Sequence, residues 1–185
     1  MKRVFRITVC AIFSFVVATP GPLSAQGKDS DDIQKSCQNF VKQFYDWYVP
    51  EAVKEDTGSV WGLALEHKSY AFGTQLLRQL KEDSEAQARV EGEIVGLDFD
   101  PFLNSQDVDE GYVTGKVTRK GGSCWVEVYG TRSGRRSRQH VVSELKLKNG
   151  HWLFVNFHNP NASRRGFENL LSQLKSLRDQ RQRPR

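Results

Sequence analysis

Cysteine and histidine are scarce in this sequence, with three of the first and four of the second among 185 residues. No C-x-x-C pair occurs, which removes the common zinc and thioredoxin-like arrangements. His67, His140, His151 and His158 are too scattered for a recognisable metal motif. G-x-S-x-G, H-E-x-x-H, a P-loop and a dinucleotide fingerprint are missing too, so no hydrolase, metalloprotease or nucleotide-binding signature is present. No cofactor and no metal is expected, and the chain reads more as a binding protein than as an enzyme. The N-terminal apolar run is shorter than the ~20 residues a membrane-spanning helix needs.

That run belongs to the opening "MKRVFRITVCAIFSFVVATPGPLSAQ". Lys2, Arg3 and Arg6 precede apolar residues from Ile7 to Ala18, then Pro20, Gly21 and Pro22, then the small residues Ser24 and Ala25. This is the order of a secretory signal peptide, with cleavage expected near Ala25; an uncleaved anchor is the other reading. No cysteine follows the expected cleavage site, which argues against a lipid anchor. The expected organisation is a signal peptide over residues 1–25, one domain over residues 26–178 and a basic disordered tail over residues 179–185. An exported protein of periplasmic or extracellular location follows, with no transmembrane span once the signal is removed.

Without its three leader bases the chain keeps 24 basic against 22 acidic residues, so the basic pI of about 9.2 owes much to the leader and tail. That is poor ground for expecting nucleic acid. Loss of Cys10 with the leader leaves Cys37 and Cys124 as the only intramolecular disulfide that can form in an oxidising compartment.

Ser30 to Val49 predicts a helix capped by Ser30 with Asp31 and Asp32 in its first turn and stopped by Pro50. Ile33, Cys37, Phe40, Val41, Phe44, Trp47 and Tyr48 fall within an arc roughly 120° wide, so the helix is built to bury an aromatic face. Residues 50–74 read as a long connection with a short turn of helix. Gln75 to Arg89 predicts a second helix on Leu76, Leu77 and Leu80, solvent-exposed after Lys81. From Gly111 the period changes to two: "GYVTGKVTRK", "SCWVEVYG", "QHVVSELKLK" and "HWLFVNFH" predict a four-stranded antiparallel meander, with "GG", "SGRR" and "NG" between strands. Cys124 shares a face with Val126 and Val128. A last helix carries Phe167, Leu170, Leu171, Leu174 and Leu177. The fold class is α+β, with helices covering one sheet face.

"FYDWYV", "LLRQLKEDSEAQA", "DPFLNSQD" and "NGHWLFVNF", in that order, resemble the domain-of-unknown-function 3828 family of exported bacterial proteins and lipoproteins. The resemblance spans roughly Phe40 to Leu177. It implies a cystatin-like or nuclear-transport-factor-2-like fold, a curved sheet wrapped around a long N-terminal helix, and no particular reaction. The missing lipid-anchor cysteine and the basic extension after Leu177 depart from it.

The stretch "LDFDPFLNSQDVDE" crowds acids around Pro101. An EF-hand starting at Asp98 fails, because Phe102 and Leu103 stand where an oxygen ligand and glycine are needed. A looser oxygen site on Asp98, Asp100, Asn104 and Asp107, or a general base at Asp98 or Asp100, are two readings. A turn is the favoured one, with Asp100 preset as extended by Pro101 and phenylalanine side chains dropped into the core. His158 ends a strand, where a hydrogen-bonded histidine is the favoured reading; lining a sheet concavity as a third pocket candidate is the other. Arg132, Arg135, Arg136 and Arg138 crowd one hairpin, where a solvated turn is the favoured reading; the functional one is a patch for an envelope protein or anionic surface, unless the acidic segment from Glu82 to Glu110 neutralises it. The partner and oligomeric state are not legible here. A pocket between the first helix and the sheet is the alternative, and aromatic filling of that space excludes it.

Overall fold

The computed structural model describes residues 25–54, 60–160 and 168–183. Within these stretches, nothing is described for the side chains of residues 25–29 and 137–140. The expected leader therefore lies outside the described residues except for Ala25, as do Phe167 and Arg185.

Helix α1 (Ala25–Ala52) is longer at both ends than its sequence pattern predicts. Ser30, Asp31 and Asp32 sit inside it, past its first turn, rather than at its start. Pro50 does not stop it either. Proline removes one N–H from the ladder and disfavours helix at the residue before it. Burial outweighs that cost, because Tyr48 and Val49 are 0 % and 8 % exposed and pin the last turn to the core. The backbone N–H of Val53 then donates to Val49 O at 3.1 Å.

The expected connection contains α2 (Val60–His67) and a 3₁₀ turn (Ser69–Ala71). Trp61, Ala64 and Leu65 form the buried side of α2. Helix α3 (Thr74–Ala88) buries Leu76 and Leu80 as predicted. Its polar end is not all exposed, however, since Asp83 is 1 % exposed.

Strands β1 (Gly111–Lys120), β2 (Ser123–Arg132), β3 (Arg135–Lys148) and β4 (His151–His158) form one antiparallel sheet in sequence order. The sheet is open. Register shifts at Thr114/Val117, between Val128 and Thr131, and at Glu144/Leu145 mark bulges, which bend strands and increase their twist. Both central residues of the Ser133-Gly134 and Asn149-Gly150 turns have positive φ, the tight-hairpin geometry that matches strand twist. Arg135 and Arg136 thus belong to β3, and the expected "SGRR" loop shrinks to two residues.

Along β2, Cys124, Val126 and Val128 are at most 1 % exposed and face α1, while Trp125, Glu127 and Tyr129 face away. The Cys37–Cys124 disulfide joins α1 to this inner face across a Cα–Cα distance of 6.6 Å. Phe44 is the centre of the layer between helix and sheet, with ring centroids at 5.4 Å from Tyr48, 5.9 Å from Phe72, 5.6 Å from Phe102 and 4.9 Å from Phe154. Phe40 adds a contact to Phe154 at 5.2 Å. Rings fill the lap of the sheet where a pocket was the alternative reading.

Helix α4 (Leu170–Arg181) closes the domain against α3 and β4. Asn169 caps it, its side-chain oxygen accepting from Ser172 N–H at 3.0 Å. The helix runs three residues into the expected tail, because Arg181 has a buried partner.

Candidate functional site

The acidic stretch after α3 is a turn built around one carboxylate. Asp100 Oδ1 accepts from the backbone N–H groups of Phe102 and Leu103 at 2.8 and 3.0 Å. Asp100 N–H donates to Ser105 O at 3.0 Å and closes the loop. Phe102 and Leu103 are completely buried, so the turn drives two apolar side chains into the core. Tyr48 Oη donates to the other carboxylate oxygen, and Tyr45 Oη donates to Phe102 O at 2.6 Å. Burial pushes the Asp100 carboxyl up to about 6, against the lowering effect of the Tyr48 and backbone hydrogen bonds. Burial, with the nearby Asp100, also raises the Tyr48 phenol far above its ordinary range. The carboxylate is therefore satisfied by its own turn, and the phenol offers no accessible base.

Asp98 and Asp107 are exposed, and line an open groove of about 890 Å³ with Val53, Trp61, Ile94 and Asp100. Among the described residues, no group of three or more His, Cys, Asp or Glu could hold a metal ion.

His158 does not join Asp100. The pairings Glu127–Val142–His158 and Trp125–Glu144–Asn156 place His158 on the sheet face turned away from α1. There His158 Nε2 lies 2.8 Å from Glu144 Oε2, and its ring packs on Trp125 at 4.2 Å between centroids. Ser123 Oγ donates to the other Glu144 oxygen at 2.9 Å. Glu144 thus stands between serine and histidine, so the histidine cannot take the serine proton directly. The hollow beside His158 measures only about 20 Å³. Strand alternation alone would have put Trp125 with Glu127 and Tyr129, but their meeting with Glu144 and His158 needs the register.

The hairpin arginines separate into different environments. Arg132 pairs with Asp109 at 3.3 Å, and Glu110 accepts from the Ser133 N–H at 2.6 Å. The acidic segment therefore does reach the hairpin and neutralises part of it. Arg136 lies over the Tyr129 ring, 4.3 Å from its centroid, while the ring packs against Gly115 so tightly that a Cβ there would fall 2.5 Å from it. Arg135 is exposed. The Arg138 side chain lies outside the described ones.

A second open groove, of about 860 Å³, runs between α1 and the β3–β4 hairpin. Asn39 and Gln43 line it from the helix, Lys148 and Asn149 from the hairpin, with Tyr70 and Trp152 as its aromatic walls. Trp152 Nε1–H donates to Ser36 Oγ at 3.1 Å, which anchors the indole to the helix. A smaller hollow of about 430 Å³, lined by Ile33 and Leu147, meets Trp152 as well. No sequence motif announced this groove, because its walls come from three separate segments.

Compared with family models, curated proteins and solved structures, the chain shows no match to any of them.

Proposed function

We propose that this is an exported bacterial envelope protein that works as a non-catalytic binding module, engaging an envelope protein or anionic surface through the outer end of its β2–β3 hairpin. The carrying observation is the aromatic layer around Phe44, which occupies the space where a fold of this kind would hold a substrate. Binding then falls to the exterior. Arg135 and Arg136 are exposed on the hairpin, and Arg136 is held over Tyr129 in a fixed position. A guanidinium prepaid in this way loses less freedom on meeting a carboxylate or phosphate.

Export draws support from the Cys37–Cys124 bond, since such bonds persist in oxidising compartments. Among the described residues no helix is long and apolar enough to cross a membrane. Membership of the domain-of-unknown-function 3828 family, with its cystatin-like or nuclear-transport-factor-2-like fold, is part of the same proposal.

The test is capture on phosphatidylglycerol vesicles and from detergent-solubilised envelope extract, comparing the wild type with Arg135→Ala/Arg136→Ala. The variant should keep its circular dichroism and melting temperature while losing most of the capture. Identical capture by both proteins would refute the assignment of the hairpin.

A further inference from the structure

The groove between α1 and the β3–β4 hairpin has lining chemistry of a different kind from the hairpin arginines. We propose that it is a binding site for a linear acidic oligosaccharide. This rests on reading the protein as a binding module, but not on Arg135 or Arg136.

Three features point to that ligand. The first is a track of aromatic rings. Trp152 stands between the two hollows with its N–H tied to Ser36, so its orientation is set before any ligand arrives. Tyr70 is 69 % exposed, so much of its ring surface is open to a ligand. Lys68 Nζ lies 5.8 Å from the Tyr70 ring centroid, beside the groove rather than in its wall. Sugar rings present C–H faces that pack on such surfaces, as other cationic or apolar faces do on aromatic π-systems.

The second feature is neutral hydrogen-bonding capacity left over. The side-chain amides of Asn39, Gln43 and Asn149 line the groove and have no hydrogen-bond partner among the described residues. Each amide offers a donor and an acceptor at once, which suits hydroxyl groups that do both. The third feature is charge. Lys35 and Lys148 line the groove against Asp32, and neither lysine forms an ion pair among the described residues. With Lys68 beside Tyr70, the balance favours an anionic chain over a neutral or basic one. A volume of about 860 Å³ lies within the range of sites that hold small organic molecules, and the groove is open to solvent.

Calorimetric titration of the full mature protein tests this with an oligogalacturonate, a neutral cello-oligosaccharide of the same length and a glutamate oligopeptide. The oligogalacturonate should bind, the neutral sugar at least tenfold more weakly, and the peptide not at all. Trp152→Ala and Tyr70→Ala should each weaken binding about tenfold. Trp152→Phe, which keeps a ring and tests for a merely structural loss, should retain most of it. Arg135→Ala/Arg136→Ala should leave sugar binding unchanged, so failure of the hairpin proposal and failure of this one are separable. Absence of oligogalacturonate binding, equal binding of the neutral sugar or the peptide, or affinity unmoved by Trp152→Ala would each overturn the proposal.

Discussion

Arg181 on α4 donates to Oδ1 of the buried Asp83 on α3 at 2.6 Å, across 98 residues of sequence. The same guanidinium nitrogen donates to Val95 O at 2.8 Å, and Asp83 Oδ2 accepts from Leu97 N–H at 2.8 Å. One charge pair thus ties α3, α4 and the segment leading to the Asp100 turn. Every strong acceptor of the buried carboxylate is used, which is the condition for tolerating a charge at 1 % exposure.

Removing one partner of such a pair leaves the other charge uncompensated. Arg181→Ala should therefore cost about 3 kcal/mol of stability. Asp83→Asn/Arg181→Met, which removes both charges, should cost clearly less than the single change. Urea unfolding followed by circular dichroism measures both. A loss under 1 kcal/mol for Arg181→Ala would show that the pair is solvated in solution.

Asp100 yields a pH dependence whose sign follows from the direction of its shift. Its carboxyl is raised from 3.8 to about 6 in the folded chain, so folding favours the protonated form. The contribution is fully present below about pH 3.8 and is lost as pH rises through about 6. Its size is on the order of 2 to 3 kcal/mol. Asp100→Asn keeps an acceptor for the Phe102 and Leu103 N–H groups and does not ionise. The stability difference between wild type and this variant should therefore move against the wild type between pH 4 and pH 7. Parallel stability curves over that range would show that Asp100 titrates normally.

The disulfide closes a loop with a sequence separation of 87 between Cys37 and Cys124. In the chain-entropy account such a crosslink is worth about 4 to 5 kcal/mol. Cys37→Ala/Cys124→Ala should lower stability by that order, and a reducing agent should lower the melting temperature of the wild type only. Non-reducing mass spectrometry should find Cys37 and Cys124 joined, with no free thiol at either position. Two alkylatable cysteines without reduction would remove the claim.

Much of the architecture was readable from local pattern. The apolar arc from Ile33 to Tyr48 and the alternation in "CWVEV" report which side of each element is buried, because side-chain direction follows backbone period. Hence the two sulfurs were expected on facing surfaces, and they are bonded. Element ends were less legible. Pro50 reads locally as a stop, but burial of Tyr48 and Val49 extends α1 past it. Lys81 to Ala88 reads as exposed, but Asp83 is buried because Arg181 arrives from the far end of the chain.

Candidate site residues divide along the same line. The Asx-type turn at Asp100 needs only residues within five positions, so its backbone bonds could be inferred. Its Tyr48 partner could not. His158 reads from sequence first as a hydrogen-bonded strand-end histidine, and its 2.8 Å contact with Glu144 agrees; the pocket alternative fails because pairing with β3 puts the ring on the outer face against Trp125. The aromatic groove was invisible because Ser36, Tyr70 and Trp152 share no local spacing.

The amino-acid order by itself determined helix and strand faces, the tight glycine turns and the inward direction of Cys37 and Cys124, all consequences of short-range geometry. Only the tertiary structure decided which charges are buried, which arginines are neutralised and where open surface remains. Those outcomes depend on strand register and helix docking, where interactions between distant residues outweigh what neighbours along the chain prefer.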